Sequence, residues 1–147
     1  MMKIYLDNCC IQRPLDDRSQ LRIAVESEII LNILSLIEAG EINLLSSEIS
    51  SYEAEKISNT FRREFTLKVL SERSEFIRLN DEIEHRSRVF TEFGIKPIDA
   101  LHLASAEVLE ADFFCTCDDK FLKKTKGIDD LGVRAVSILE LLQEMEK

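Results

Sequence analysis

Four acidic side chains sit where the chain changes character: Asp7 closes the apolar run KIYL, Glu53 lies in SSEISSYEAEK, Asp99 follows Pro97 in GIKPIDALHLASAE, and Asp118 follows DFFCTC. Each has an ordinary structural account as a turn former, a helix cap or a first-turn acid favoured by the helix macrodipole by roughly 0.3–1 kcal/mol. Gathered in one place, they would do something else. Two unit charges about 4 Å apart repel by roughly 4 kcal/mol at an effective dielectric of 20, so unpaired carboxylates would retake a proton or splay apart. A divalent cation relieves that repulsion. Hard oxygen donors suit Mg²⁺ or Mn²⁺, which keep several waters and accept substrate phosphate alongside the carboxylates.

The elements that must position these acids are strands ending on one side. Strand-like runs occur at KIYL (3–6), INLL (42–45), EFIRL (75–79), DFFCTC (112–117) and VRAVS (133–137). Helical spacing fills the gaps at 19–39, through Ile23, Ile30, Ile33, Leu34 and Ile37 with Gly40 at the stop, at 47–72 as one or two helices, at 80–93 and at 97–110. Strands alternating with helices of this length predict an α/β fold with a parallel sheet of about five strands and helices on both faces. Sites in such sheets form beyond the carboxyl ends of the strands where the strand order switches direction, and Asp7 lies there if the first strand is central.

On a helical projection Ile49, Tyr52 and Ile57 define an inward stripe that includes Glu53 and leaves Glu48 and Glu55 outside. A carboxylate in an apolar slot needs a partner. Two readings stand here: an inward-facing functional acid, or a structural one, either in a capping box Ser50-x-x-Glu53 at a delayed helix start or as a partly exposed break in the stripe. Pro97 fits the first position of a helix, which puts Asp99 in the first turn. That helix is apolar almost all round through Ala100, Leu101, Leu103, Ala104 and Ala106, so its entry turn is expected over the sheet. His102, one turn on, reads as a satisfied near-core histidine.

The 147 residues, 45% apolar and with only four glycines and two prolines, are expected to form a single domain over 1–147 without a flexible linker. Neither a leader-like start nor an apolar run near the roughly 20 residues of a membrane span is visible, and a cytoplasmic location is expected. Cys9-Cys10 and Cys115-x-Cys117 do not resemble a disulfide framework and read as reduced thiols that pack as small apolar side chains. If the first and fourth strands are neighbours, the same thiols would meet near the acids, where they could select Zn²⁺ or oxidise and block the site. Acidic residues outnumber basic ones by 28 to 19, a net charge of −9, which excludes a protein that coats duplex DNA by charge alone. It does not exclude an enzyme whose acids hold metal and whose rim is basic. DDKFLKKTK supplies Lys120, Lys123, Lys124 and Lys126, which taken alone read as a solvated helix face.

At YLDNCC, SSEISSYEAE, IDALHLASAE and ADFFCTCDDKF, in this order and across nearly the whole chain, the sequence resembles the PIN-domain ribonucleases, including the VapC-like toxins of toxin–antitoxin pairs. DALHLASAE followed by AD-F-T-D is the most specific combination. The opening YLDNCCIQRPLDD looks like a particular subgroup of that family. The resemblance implies a three-layer α/β/α sandwich around a central parallel sheet, dimer formation, an antitoxin partner, and RNA cleavage with Mg²⁺ or Mn²⁺ held by Asp7, Glu53, Asp99 and Asp118. Many relatives have Thr or Ser where this chain has Asn8, whose side chain can still hydrogen-bond a carboxylate or water. Thr116 matches a position that supports the site, and Asp119 could share or replace the role of Asp118. Lys120, Lys123 and Lys124 are candidate phosphate contacts. Arg62 and Arg63 are read mainly as a solvated helix surface.

The chemistry implied is metal-assisted hydrolysis of an RNA phosphodiester, with no side chain acting as nucleophile. A phosphoacceptor receiver domain would want paired acids after the first strand and a Lys ending the fifth, and an Asp-x-Asp phosphatase fails at Cys9. From another class, a catalytically silent PIN-like module that binds RNA or protein is the alternative, against which stands the presence of all four acids.

Overall fold

A computed structural model describes residues 1–147. Five strands, β1 (Lys3–Leu6), β2 (Asn43–Ser47), β3 (Glu75–Ile77), β4 (Phe113–Cys115) and β5 (Arg134–Val136), form one sheet in the order β3-β2-β1-β4-β5, with every neighbouring pair parallel. Between and after them lie α1 (Asn8–Gln12), α2 (Leu21–Glu38), α3 (Glu48–Glu55), α4 (Thr60–Ser71), α5 (Asp81–Thr91), α6 (Pro97–Val108), α7 (Asp119–Thr125) and α8 (Ile138–Met145). The result is the expected three-layer α/β/α sandwich.

Alternation along the strands divides the core in two. Ile4 and Leu6 of β1 face one layer with Leu44, Cys115 and Val136, against α1, α2, α4 and α8. Tyr5 points the other way with Leu45 and Phe114, against α5, α6 and α7. Because both faces are covered, the central strands carry almost unbroken apolar runs, as parallel sheets require.

Several boundaries differ from the sequence reading. The span 47–72 is two helices, parted where Asn59 turns out to cap α4 through its side chain on the Arg62 amide (2.9 Å). β4 ends at Cys115, not 117, because Asp118 is needed as the N-cap of α7. α1 and α8 were not anticipated. α8 had a legible start, since Ser137 and Glu140 form both halves of a capping box. The five-residue α1 carries no such signal.

The chain winds outward from β1 to β3, then returns beside β1 with β4 and continues to β5. The strand order therefore reverses between β1 and β4, and the crevice beyond their carboxyl ends is the natural place for a ligand. Register fixes its walls: Leu6 pairs with Cys115, the Asp7 amide donates to the Cys115 carbonyl (2.9 Å), and the Thr116 amide donates to the Val136 carbonyl (3.1 Å).

Beneath the crevice, Tyr5 carries its phenol into a fully buried polar knot. The hydroxyl meets Ser47 Oγ (2.6 Å), Ser50 Oγ (2.9 Å) and His102 Nδ1 (2.8 Å), and so joins β1, the start of α3 and the middle of α6. Removing the phenol leaves His102 Nδ1 buried without a partner, at about 1–3 kcal/mol, while Ser47 and Ser50 keep each other. Tyr5→Phe is therefore expected to destabilise the fold by that amount despite preserving its volume, read as a lower urea midpoint at unchanged slope. An unshifted midpoint would show the knot to be dispensable.

Candidate active site

All four acids line one cleft of about 300 Å³ above the β1–β4 switch point, together with Asn8, Cys9 and Gln12. Asp7 occupies the N-cap position of α1 yet makes no capping bond. Its carboxylate instead accepts a hydrogen bond from Thr116 Oγ1 (2.9 Å), and that hydroxyl accepts one from the Asp118 amide (3.1 Å). The tip of β1 and the loop after β4 are thereby tied at the site itself. Asp118 caps α7, one of its oxygens accepting from the Lys120 and Phe121 amides (3.0 and 3.1 Å). Asp99 sits in the first turn of α6 behind Pro97, as the sequence predicted.

Glu53 arrives from α3, and its partner is His102, whose Nε2 it contacts directly. A carboxylate only accepts, so Nε2 carries the proton, and Nδ1 is left to face the Tyr5 phenol. The histidine is buried and satisfied, as expected. What the sequence did not reveal is that it satisfies a site acid: a carboxylate oxygen of Asp7, one of Glu53 and a ring nitrogen of His102 all lie within 4.8 Å of one another. An acid and a histidine 49 residues apart give no local signal of contact.

The electrostatics follow from this crowding. Burial raises the Asp7 carboxyl to about 7; neighbouring Cys9 and Glu53 add to the rise, while His102 and the Thr116 hydrogen bond oppose it. Asp99 is raised to about 6 by burial first and then by Asp7, Asp118 and Glu53, with His102 opposing. Burial alone would depress His102, but the Tyr5 phenol, the Glu53 hydrogen bond and Asp7 outweigh it and hold the imidazole well above its ordinary value. The site is thus an excess of negative charge with one histidine as its internal counterweight.

Other expected site residues fall elsewhere. Asp119 does not support the site: its carboxylate is held bidentately by Arg22 (2.7 and 2.8 Å), on the side where α7 meets α2, because Asp118 takes the capping role and turns its neighbour outward. Asn8 spends its amide nitrogen on the Ser50 carbonyl (3.0 Å), not on a carboxylate, and its Oδ1 is buried without a partner. Ser47, not Ser50, caps α3, so Glu53 lies in the second turn and the capping-box reading falls. Tyr52 is half exposed beneath Lys56, so the inward face of α3 is set by Ile49, Ser50 and Ala54. Arg62 is no free surface cation, since it binds Gln12, the Leu15 carbonyl and Asp16, and Arg63 binds the Ile57 carbonyl.

Beside the acids a smaller groove is lined by Asp99, Asp118, Lys96, Lys120 and Lys124, and Lys123 does not line it. Lys124 reaches the Gly94 carbonyl (2.9 Å). Lys96 was missed in the sequence, although its place directly before Pro97 puts it at the N-cap of the helix that bears Asp99.

A raised carboxyl is a statement about stability. Between about pH 4 and about pH 7 the native state holds a proton on Asp7 that the unfolded chain has lost, so stability falls as pH rises through that window. His102 acts in the same direction, adding stability below its unfolded value that is lost as pH rises through its folded one. In chelator, the melting temperature is expected to decline from about pH 5 to about pH 8, with Asp7 responsible for at most roughly 4 kcal/mol. Asp7→Asn should flatten much of the decline; a series of thermal melts with equal slopes for both proteins would contradict this account.

Among solved structures, 23 chains match this one. They include VapBC-1 from nontypeable Haemophilus influenzae, with a TM-score of 0.60 at 18% identity, covering 94% of this chain and 99% of that one. A DNA-bound VapBC from Salmonella typhimurium gives 0.58 at 16% identity, with 94% and 99% covered. PAE2754 from Pyrobaculum aerophilum gives 0.57 at 19% identity, with 99% and 90% covered. No curated protein sequence matches. These likenesses concern the fold; the sequence itself matches the PIN domain model over residues 4–128, which include every acid of the cleft, and the chain belongs to the PIN domain family.

Proposed function

We propose that the protein is a metal-dependent endoribonuclease that hydrolyses RNA phosphodiester bonds with Mg²⁺ or Mn²⁺. The observation that carries this reading is the convergence of Asp7, Glu53, Asp99 and Asp118 on one cleft with too little positive charge to balance them. The donor set is all oxygen, which fits a hard cation. When bound, the cation would polarise a phosphoryl oxygen, lower the pKa of a water and stabilise the leaving 3′-oxygen.

The chain's own residues supply the positioning. Thr116 fixes one oxygen of Asp7, and His102, braced by Tyr5, fixes Glu53, so two ligands are oriented by hydrogen bonds from buried groups. Asp99 and Asp118 close the cleft from the entry turns of two helices. Lys96 and Lys120, at the edge of the adjoining groove, are placed to meet phosphates flanking the scissile one. The solved VapBC structures support a toxin role with an antitoxin protein as partner, and a homodimer is proposed only because the family resemblance implies one. No helix is long and apolar enough to cross a membrane, and four free cysteines fit the reducing cytoplasm in which we place the protein.

Calorimetric titration of Mn²⁺ into the wild type and Asp99→Asn, with structured and unstructured RNAs assayed alongside, tests the reading. Loss of cation binding together with a fall in cleavage of at least roughly 100-fold is expected, in line with removing one preorganised charge contact. A wild type that binds no Mn²⁺ even with RNA present would replace the nuclease by an interaction module. Lys120→Ala should weaken RNA binding across sequences and reduce the slope of log affinity against log salt by roughly 0.7, as for one lost contact to a single strand; an unchanged slope would remove the lysine from the interface.

A further inference from the structure

The four carboxylates leave a second cluster unused. α1 and the loop after β4 bring Cys9, Cys10 and Cys117 together so that their sulfurs all lie within 4.8 Å of one another. The geometry points to a binding site for a thiophilic cation such as Zn²⁺, held by the sulfurs of Cys9, Cys10 and Cys117, a donor set distinct from the four carboxylates beside it.

Distance is the first argument. Three atoms no more than 4.8 Å apart fit within a circle of about 2.8 Å radius, while a zinc–thiolate bond is roughly 2.3 Å, so a contraction of a few tenths of an ångström closes the site. Second, the cluster is assembled by fixed backbone: Cys9 and Cys10 are consecutive residues in the first turn of α1, and the Cys117 amide already donates to Cys9 Sγ (3.4 Å). Third, the cluster has an entrance, because Cys9 also lines the acidic cleft, while Cys10 is fully buried and closes the floor. Cys115 is not part of the ligand set. It stands behind Cys10, their sulfurs 3.8 Å apart, within the core.

Hard and soft donors thus lie side by side. Oxygen ligands suit Mg²⁺ or Mn²⁺, whereas thiolates select Zn²⁺ and related ions. Binding at the sulfurs replaces S–H protons, which pass to solvent, so apparent affinity rises with pH. The two segments that the cation would join carry Asp7 and Asp118 two and one residues away from its ligands, so its occupancy would reset the acids without touching them.

Cd²⁺ titration of the fully reduced protein, followed by the ultraviolet sulfur-to-metal charge-transfer band, tests the site without reference to activity. One equivalent is expected to saturate the band in the wild type, in Cys115→Ser and in an Asp99→Asn/Glu53→Gln variant that weakens the carboxylate site. Cys9→Ser and Cys117→Ser should each weaken binding at least tenfold, with circular dichroism confirming that each is folded. As a check independent of any variant, one equivalent of Zn²⁺ should protect Cys9 and Cys117 of the wild type from iodoacetamide, mapped by mass spectrometry. Absence of the band, its persistence in folded Cys9→Ser, its loss in the carboxylate variant, or alkylation unaffected by Zn²⁺ would each overturn the proposal. Failure here leaves the nuclease reading standing, and failure of Mn²⁺ binding leaves the thiol site standing.

Discussion

The constraint on which the structure turns is the repulsion among four carboxylates that the fold forces into one cleft. Protein interiors make such charges expensive, and isolated acids here would either protonate or move apart. Moving apart is not open cheaply. Asp7 is fixed by the last hydrogen bond of the β1–β4 ladder, Asp99 by the first turn of a buried helix, and Asp118 by the amides it caps. The carboxyls therefore stay where the backbone puts them and answer by holding their protons to higher pH, Asp7 to about 7 and Asp99 to about 6, through burial first and then through one another.

Holding the carboxyls there requires rigid support, and the support comes from both layers of the sandwich. On the layer of α5, α6 and α7, Tyr5, His102 and the two serines run from the sheet to Glu53. On the other, Arg13 and Arg22 grip the buried Glu26 of α2, and Arg22 continues to Asp119 at the start of α7. These arginines consume acids that would otherwise add to the negative field around the cleft. The division is physical: buried hydrogen-bonding groups orient the site from below, while charge pairs at the edge fasten the helices that frame it.

How much of this was legible in the sequence depends on whether a feature is local. Strand positions, the α6 start at Pro97 and the places of Asp7, Asp99 and Asp118 follow from short-range pattern, since a strand tip and a helix entry each announce themselves within a few residues, whereas Glu53, in the second turn of α3, was left open between a functional and a structural acid. α1 did not, because five residues between a strand and a Pro-containing turn show no period. Asp118 and Asp119 are indistinguishable by type, and only the choice of cap separates the cleft acid from the one paired with Arg22. Tyr52 was misplaced because one apolar residue at the right angle fits a stripe whether or not a neighbour covers it. The contact of His102 with Glu53 was beyond sequence reasoning altogether, for it depends on two helices meeting over a strand.

On the proposed function, a net charge of −9 sits uneasily with a polyanionic substrate until its distribution is considered. Long-range steering scales with the whole field and falls off within roughly 10 Å at moderate salt, so at the cleft the nearest charges decide. Those are Lys96, Lys120 and Lys124 on one side and four acids on the other. With a divalent cation among the acids, as the proposed function requires, the local balance reverses and the cleft would welcome a phosphate. An overall basic protein would hold RNA anywhere along its length; an acidic one with a cation-dependent cleft holds it only where the bond can be cut. On the proposed function, the unfavourable net charge is thus a source of selectivity, and the same cation that neutralises the acids makes the substrate's approach favourable.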